Sequence, residues 1–368
     1  MNVGIDASRI ALEQRTGTEN YTYNLIEAIK KIDQQNKYTL YFNKLPSYFE
    51  ITQTNISTRY IPMPRFWTQA RLLSEVFIKP PDLLFIPAHT LPILRRAKLK
   101  TVVTVHDLGA EYLPEYHRFP QKLYLNWSTK FAAAFSDALI AVSESTKKDL
   151  IKRFRTDPKK ITVIHEGIDT EFFYPREKPE VEKVRATLGL SKPYLLFVGT
   201  VQPRKNLEFL IESFSKLKNK EIDLVVAGKP GWLYEEIYTS PKKFEVGDRV
   251  KFIGFVEGED LPALYSGATA FVFPSLYEGF GLPLLEAMAC GCPVIAADNS
   301  SMPEVVGEAG VLVKTSDQKA WVKALNEVIT NEKLRSELVR KGKTQARKFT
   351  WERTALETIK LFEKVYQS

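Results

Sequence analysis

The chain has little of several things, and each scarcity excludes a class of protein. Only two cysteines occur among its 368 residues, Cys290 and Cys292. They stand too close together to staple a fold and lack metal-ligand spacing, so they read as small buried thiols in a reducing, cytoplasmic setting. No apolar run approaches the roughly 18 to 20 residues that span a bilayer, and residues 1–10 lack the basic-then-apolar pattern of a signal peptide. Histidine is rare, with four in all. No Asp-x-Asp occurs, so a divalent-cation clamp has no evident ligands and neither a metal nor a cofactor is expected. No Walker A pattern occurs, and the third glycine of a dinucleotide fingerprint is replaced by Leu284. No internal repeat or low-complexity tract interrupts the chain.

What is present is a soluble globular composition, long enough for two domains of about 150 to 200 residues. The net charge of +8 is uneven: residues 1–175 hold 24 Lys and Arg against 18 Asp and Glu, the remainder 28 against 26. A basic first half suits an anionic membrane surface. It would suit nucleic acid too, but no helix-turn-helix, zinc-finger or RNP pattern accompanies it, so no nucleic-acid partner is expected. A merely solvated surface is the plainer alternative.

Short β-rich runs alternate with helical periodicity along both halves. Met1–Asp6, Tyr38–Phe42, Leu83–Ile86, Lys100–Val105, Asp137–Val142 and Ile161–His165 read as strands. Helices are expected over Glu19–Ile32 and Glu144–Phe154, the latter capped by Ser143. Between them, 65–79 interleaves Phe66, Trp67, Leu72, Leu73, Val76 and Phe77 with Arg65, Arg71 and Lys79. That pattern fits a core-facing helix or an amphipathic helix facing lipid. Asp169–Lys192, with two prolines and many charges, reads as a linker. A second series follows at Tyr194–Val198, Ile222–Ala227 and Val250–Ile253, with helices over Asn206–Leu217 and Asp260–Ser266. From Asp317 the pattern is helical with two polar interruptions. Such alternation predicts α/β architecture with parallel, doubly wound sheets.

One stretch dominates, FPSLYEGFGLPLLEAMACGCPVIAAD at 273–298. A buried strand ending at Phe273 cannot continue through Pro274 and the glycine-rich loop, and helical spacing resumes at Pro283, with Gly291 at the C-cap position. A loop with glycine at 279 and 281 lets a phosphate approach the unpaired N–H groups and positive dipole end of the following helix. Glu278 and Glu286, with seven residues between them, flank that site. Carboxylates beside an anion site belong with neutral donors, and a vicinal sugar diol offers two. A diphosphate on the helix, with one sugar at Glu278 and a ribose at Glu286, describes a nucleotide-sugar. Further polar or glycine positions follow strand ends, where open α/β sheets bind ligands: Gly17, His106 with Asp107, Arg204 with Lys205, and Lys229. Two such edges facing one another would form an interdomain cleft. Arg204 and Lys205 are the natural neutralisers of a diphosphate whose charge grows as the sugar departs.

The stretch PSLYEGFGLPLLEAMACGCPV resembles the signature of the family 4 glycosyltransferases, with Glu278 and Glu286 matching that family's E-x7-E element. The resemblance implies retaining chemistry on a GT-B fold, two Rossmann-like domains facing across a cleft. It implies an acceptor-side domain over 1–170, a linker over 171–192 and a nucleotide-sugar domain over 193–349. The last helix, 350–368, would cross back to the first domain. VGTVQPRKNL resembles the donor-phosphate loop, which makes Arg204 and Lys205 the basic pair; Thr200 stands where many members have a further Arg. Gly17 resembles the glycine of the N-terminal donor loop, although the common Gly-Gly is Thr16-Gly17 here. His106 resembles the histidine near the transferred sugar, HEGID at 165–169 the domain-crossing segment, and Val256 the base-contacting turn. His106, Arg204, Lys205 and Glu278 thus become the expected catalytic group. Gly17, Lys229, Val256, Gly279, Phe280, Gly281, Leu282 and Glu286 become the expected donor-binding group. The resemblance extends to bacterial surface-polysaccharide enzymes, many using GDP-mannose, and so implies a hexosyltransferase acting on a glycan or lipid-linked acceptor, peripheral at the inner membrane face. Rival expectations are an epimerase or phosphorylase of the same fold and a non-catalytic nucleotide-sugar-binding protein.

Overall fold

A computed structural model describes residues 1–11, 17–44, 46, 49–63, 66–112 and 121–368, giving the backbone alone at 11, 110, 111 and 121–125. Thr16 and Arg65 lie outside the described residues. The chain divides into two units, one formed by the described residues of 1–111, 121–167 and 350–368, the other by Tyr112 and 168–349.

The first unit is built on β1 (Asn2–Asp6), β2 (Lys37–Phe42), β3 (Ile56–Tyr60), β4 (Leu83–Ile86), β5 (Lys100–Val105), β6 (Ala138–Ala141) and β7 (Ile161–Val163). They pair in parallel in the order β3-β2-β1-β4-β5-β6-β7. β4 and β6 are buried at every residue, which is why both read as unbroken apolar runs. Thr350 caps the last helix, Trp351–Gln367, accepting from Arg353 N at 3.2 Å. Its Trp351, Ala355, Ile359 and Phe362 recur at helical spacing and join the core of this unit. Phe362 packs 5.0 Å from Phe85, and the Thr354 hydroxyl donates to the His165 carbonyl at 2.8 Å.

The second unit carries β8 (Tyr194–Val198), β9 (Asp223–Ala227), β10 (Val250–Gly254), β11 (Ala270–Phe273), β12 (Val294–Ala297) and β13 (Gly310–Val313). The order is β10-β9-β8-β11-β12-β13, again parallel. In each sheet the winding reverses direction once, between β1 and β4 and between β8 and β11. Loops leaving the carboxyl ends of such a pair splay apart and leave a crevice for ligand.

Several elements escaped the sequence reading. β3 is an edge strand exposed over its last four residues, and β13 is four residues long, so neither carries a buried apolar run. The expected linker contains a helix, Lys178–Thr187, that buries Val181 and Val184. The 65–79 pattern forms a π-helical turn, Thr68–Leu72, running into an α-helix, Leu73–Ile78, which buries Leu72 and Val76 but leaves Phe77 and Ile78 exposed. Asn331 makes one of the two polar interruptions: it ends the helix Gln318–Thr330 and caps the next, Glu332–Ala346, accepting from Leu334 N at 3.0 Å.

Candidate active site

Two loops meet at the carboxyl ends of β8 and β11. After β8 the chain makes a tight turn, Pro203–Lys205, and Asn206 then takes the left-handed conformation, φ +57°, before the helix Leu207–Ser215. Asparagine tolerates that conformation better than most residues, and its Nδ2 donates to the Pro274 carbonyl at 3.2 Å. Leu276 N donates to the Arg204 carbonyl at 2.9 Å, so the turn is pinned to the loop that follows β11. Replacing Asn206 by Ala removes both the tolerance and the bond. We expect a loss of about 1–2 kcal/mol in urea unfolding and a fall in activity exceeding that loss, because the adjacent cations move; unchanged activity would separate the turn from the site.

The pinned loops bring three charged side chains into one ion cluster. Arg204 Nη1 donates to the Tyr277 carbonyl at 2.6 Å and to Glu278 Oε2 at 3.0 Å, while Lys205 Nζ donates to Glu278 Oε1 at 2.7 Å. Their side chains keep only 10–14% of their surface accessible. Burial alone would raise the Glu278 carboxyl, but the two cations overcome it and hold the group down at about 2. Glu278 is therefore ionised across the working pH range. Its carboxylate uses one acceptor position on each oxygen for a cation and has lone pairs left for a hydroxyl.

The glycine loop is held from behind by residues after β12. The Ser300 hydroxyl accepts from Glu278 N at 3.0 Å, and the fully buried Ser301 hydroxyl reaches the Glu278 and Phe280 carbonyls at 3.0 and 2.6 Å. Gly281, φ +113°, is the N-cap of the helix Leu282–Ala289, a conformation that L side chains rarely adopt. At the other end Cys292 N reaches the Ala287 carbonyl at 2.9 Å and Gly291 N the Met288 carbonyl at 3.2 Å, a Schellman closure at the expected glycine. Cys290 and Cys292 are buried free thiols, and burial raises both.

Glu286 lies one turn along that helix in a different environment. Its Oε2 accepts from the Tyr265 hydroxyl at 2.8 Å, and no cation is among the influences on it. Burial pushes its carboxyl up to about 7, only partly offset by Tyr265. The two glutamates of one motif thus sit at opposite ends of the carboxylate range.

The neighbouring loops pack tightly. Val201 N donates to the Lys229 carbonyl at 2.9 Å, and Gly231 N returns to the Val201 carbonyl at 2.9 Å. A Cβ at Gly228 would lie 1.9 Å from the Gly199 carbonyl oxygen, so only glycine permits this approach. Lys229 Nζ rests 4.4 Å from the Phe255 ring centroid, and the adjoining Val256 is buried.

In the first unit, Gly17 opens the helix Gly17–Ile32 and is exposed. His106, just beyond β5, has both ring nitrogens engaged: Nδ1 with Glu166 Oε1 at 3.0 Å and Nε2 with the Pro87 carbonyl at 2.8 Å. A carbonyl only accepts, so Nε2 carries a proton, and a carboxylate opposite Nδ1 favours a second. Burial disfavours the charged ring, but Glu166, the Pro87 carbonyl and Asp107 together raise it above the ordinary histidine value. Tyr21 presents its ring edge-on at 4.6 Å. His89 behaves oppositely: burial lowers it to about 4, against the pull of Asp107. Among the described residues, no three His, Cys, Asp or Glu side chains gather as a metal site would need.

Residues 15–172 match the family described as Glycosyltransferase Family 4, and residues 180–345 match Glycosyl transferases group 1. O-antigen chain mannosyltransferase B of Escherichia coli is 30% identical over 268 residues, covering 72% of this chain and 70% of the relative. The chain belongs to the family 4 glycosyltransferases. O-antigen chain mannosyltransferase RfbU of Salmonella typhimurium is 27% identical over 340 residues, 88% of this glycosyltransferase and 90% of that protein. Among solved structures, sucrose-phosphate synthase of Thermosynechococcus elongatus superposes with a TM-score of 0.78 at 21% identity, covering 100% and 99% of the two chains. HepE of Anabaena, solved with UDP and glucose, gives 0.76 at 19%, covering 98% and 99%. At such identities these likenesses establish the GT-B fold alone. Glycosyl transfer is thus the activity of the chain, and none of these similarities points to an epimerase, a phosphorylase or a non-catalytic binder.

Of the residues expected at the site of this glycosyltransferase, the structure joins Arg204, Lys205 and Glu278 directly, with Gly279, Phe280, Gly281, Leu282 and Glu286 continuing the same loop and helix. Lys229 and Val256 occupy the next two loops along the sheet, while Gly17 and His106 belong to the first unit. Sequence reading missed Asn206, Tyr265, Ser300 and Ser301, which shape the loops, and Glu166, which holds His106. Glu166 lies in the noted HEGID segment, yet nothing in spacing pairs it with a histidine 60 positions earlier.

Proposed function

We propose that this glycosyltransferase moves a mannosyl group from GDP-mannose, with retention at the anomeric carbon, to a glycan or lipid-linked glycan acceptor. The observation that carries the reading is the Arg204–Lys205–Glu278 cluster beside a glycine loop that feeds a helix N-terminus. Cations alone would suit any anion. Cations locked by a buried, ionised carboxylate provide both a diphosphate clamp and an acceptor for a sugar hydroxyl. The mannosyl identity draws on the names of the relatives above. A lipid-linked acceptor would place the chain at a membrane surface as a peripheral protein.

In the proposed reaction the bond from the sugar C1 to the donor phosphate breaks while a bond from C1 to the acceptor oxygen forms on the same face. The acceptor's proton passes to the departing phosphate, and the products are a nucleoside diphosphate and the lengthened glycan. Arg204, Lys205 and the helix N-terminus stabilise the charge that grows on the phosphate. Glu278 holds a sugar hydroxyl and Glu286 the ribose diol, with Lys229, Val256, Gly17 and the 279–282 loop completing the donor contacts. His106 positions the transferred sugar by exchanging its bond to the Pro87 carbonyl for a sugar hydroxyl.

Thermal unfolding with GDP, UDP, ADP, dTDP and their sugars tests the donor. A nucleotide at 100 times its dissociation constant stabilises by about 2.7 kcal/mol, so a rise of several degrees is expected with GDP and GDP-mannose; a shift confined to UDP-sugars would refute the mannosyl donor, and none with any nucleotide would refute the site. Arg204→Ala should lower kcat by about 10²–10³ while weakening nucleotide binding far less. Equal losses in both would make Arg204 a binding residue only.

A further inference from the structure

We propose that His89 reads a hydroxyl of the acceptor glycan, so that this side chain helps decide which sugar the enzyme extends and at which position. The inference rests on the glycosyl-transfer reading above but uses none of its donor contacts. His89 stands in the loop after β4, and β1 and β4 are the pair at which the winding of the first sheet reverses. Loops leaving such a pair bound a ligand crevice. β4 also pairs with β5, so the His89 loop adjoins the one that carries His106.

The backbone of this loop is tied from three elements. His106 Nε2, just past β5, donates to the Pro87 carbonyl at 2.8 Å. The Ser128 hydroxyl, on the helix Gln121–Phe135, donates to the His89 carbonyl at 2.8 Å. From the turn Thr68–Leu72, Gln69 Nε2 donates to the Leu91 carbonyl and Gln69 Oε1 accepts from Ile93 N, both at 3.0 Å. The segment 87–93 is thus fixed in place.

The imidazole itself is left without a protein partner. His89 is half-buried, and its Nδ1 is enclosed with no hydrogen bond among the described residues. Such atoms are uncommon, because each has lost its water without gaining a replacement. In a loop held this firmly at the ligand-binding edge of a sheet, an unpaired ring marks a side chain whose partner comes from outside the protein. His106 differs in kind: the Pro87 carbonyl fixes a proton on its Nε2, whereas nothing fixes the tautomer of His89. A neutral imidazole with a free tautomer can donate or accept. A sugar hydroxyl also does both, which makes it the matching group.

Charge narrows the ligand further. Asp107 favours protonation of His89, His106 and Arg9 oppose it, and burial outweighs them all. The ring is therefore neutral across the working pH range. It does not match a phosphate or a carboxylate, and it is too weak a base to take the acceptor's proton. Its work is to orient the attacking hydroxyl, or one beside it, while the proton passes to the departing phosphate. Position supplies the side of the reaction. His106 meets the transferred sugar in the proposed reaction, and the next loop along the same edge serves the group that receives it.

The test is long-range proton–nitrogen NMR of the nitrogen-15-labelled full chain, with and without GDP. The chain has only four histidines, few enough to assign the His89 ring by substitution. The probes are the methyl α-glycosides of mannose, glucose, galactose and N-acetylglucosamine, with mannose 6-phosphate as an anionic counterpart. We expect a neutral His89 ring whose nitrogens shift with at least one glycoside and stay unprotonated. In transfer assays His89→Ala should raise KM for that glycoside about ten-fold with a smaller change in kcat, the worth of one neutral hydrogen bond. His89→Gln keeps a donor and an acceptor and should recover part of the loss. Both variants should keep the GDP-induced thermal shift of the parent. A ring that responds to no glycoside, a ring protonated by mannose 6-phosphate, or variants with the parent's KM would overturn the proposal. So would a Gln variant as impaired as the Ala variant. If the ring stays silent while the GDP shift persists, glycosyl transfer stands and only the assignment of His89 is lost.

Discussion

Replacing Glu278 by Gln should be the most damaging single change in this enzyme. The substitution keeps the shape and removes the charge that pairs both Arg204 and Lys205. Removing one partner from a buried ion cluster leaves the remaining charges uncompensated, and such losses run to about 3–5 kcal/mol. Activity should fall by more than about 10³, because the cations that neutralise the diphosphate lose their anchor along with the proposed contact to a sugar hydroxyl. The pH dependence of stability gives a second, sharper readout. The folded carboxyl titrates at about 2 against an ordinary 4.5. Its stabilisation is therefore complete above the ordinary value and is lost as pH falls through the folded one. That displacement corresponds to about 3 kcal/mol, so the parent should lose that much between pH 6 and pH 2 from this group, and Glu278→Gln should not. Identical acid profiles for parent and variant would show that Glu278 is not buried against its two cations.

Glu286→Gln should do the reverse to stability. Its carboxyl is raised from 4.5 to about 7, so the folded protein favours the protonated form. That contribution is fully present below the ordinary carboxylate range and disappears as pH rises through about 7. The unliganded parent should therefore weaken from pH 5 to pH 8 by at most about 3 kcal/mol. The Gln variant, neutral throughout, should lack that slope and unfold several degrees above the parent at pH 8. Binding should move the opposite way. If the ionised carboxylate receives the ribose diol, affinity for a nucleotide-sugar should rise about ten-fold from pH 6 to pH 8, as the ionised fraction does around a value near 7. Glu286→Gln should flatten that rise and leave binding weak at both ends. Titration calorimetry of both proteins across this range decides it, and a rise that survives in the variant would assign the titrating group elsewhere.

Much of the second unit is legible in its sequence because buried parallel strands and glycine loops leave strong local marks. The run ending at Phe273 is apolar throughout, Pro274 cannot continue it, and the closure at Gly291 stands at the expected position. The first unit is less legible. β3 is polar because it lies at an edge, and the helix Gln121–Phe135 has an apolar face turned outward, so inward-facing periodicity is no guide to it. The helix Lys178–Thr187 is charged on most of its surface and buries only two valines, which makes it look like linker.

By itself, the sequence determined the chemistry available: two glutamates and a basic pair near a glycine loop, scarce cysteine, and βα alternation in both halves. These depend on residue type and on spacing within a few turns of chain. Which charges meet, and in what state, is another matter. Arg204 and Glu278 are 74 positions apart, and they touch because the winding reverses between β8 and β11 and sets the loops after those strands side by side. His106 reaches Glu166 through the same kind of long-range closure. Glu278 is driven to low pKa and Glu286 to high pKa though they share one motif, since burial acts on both but cations reach only the first. Only the tertiary structure decides that, because desolvation and Coulomb interaction depend on distance in space and not on separation along the chain.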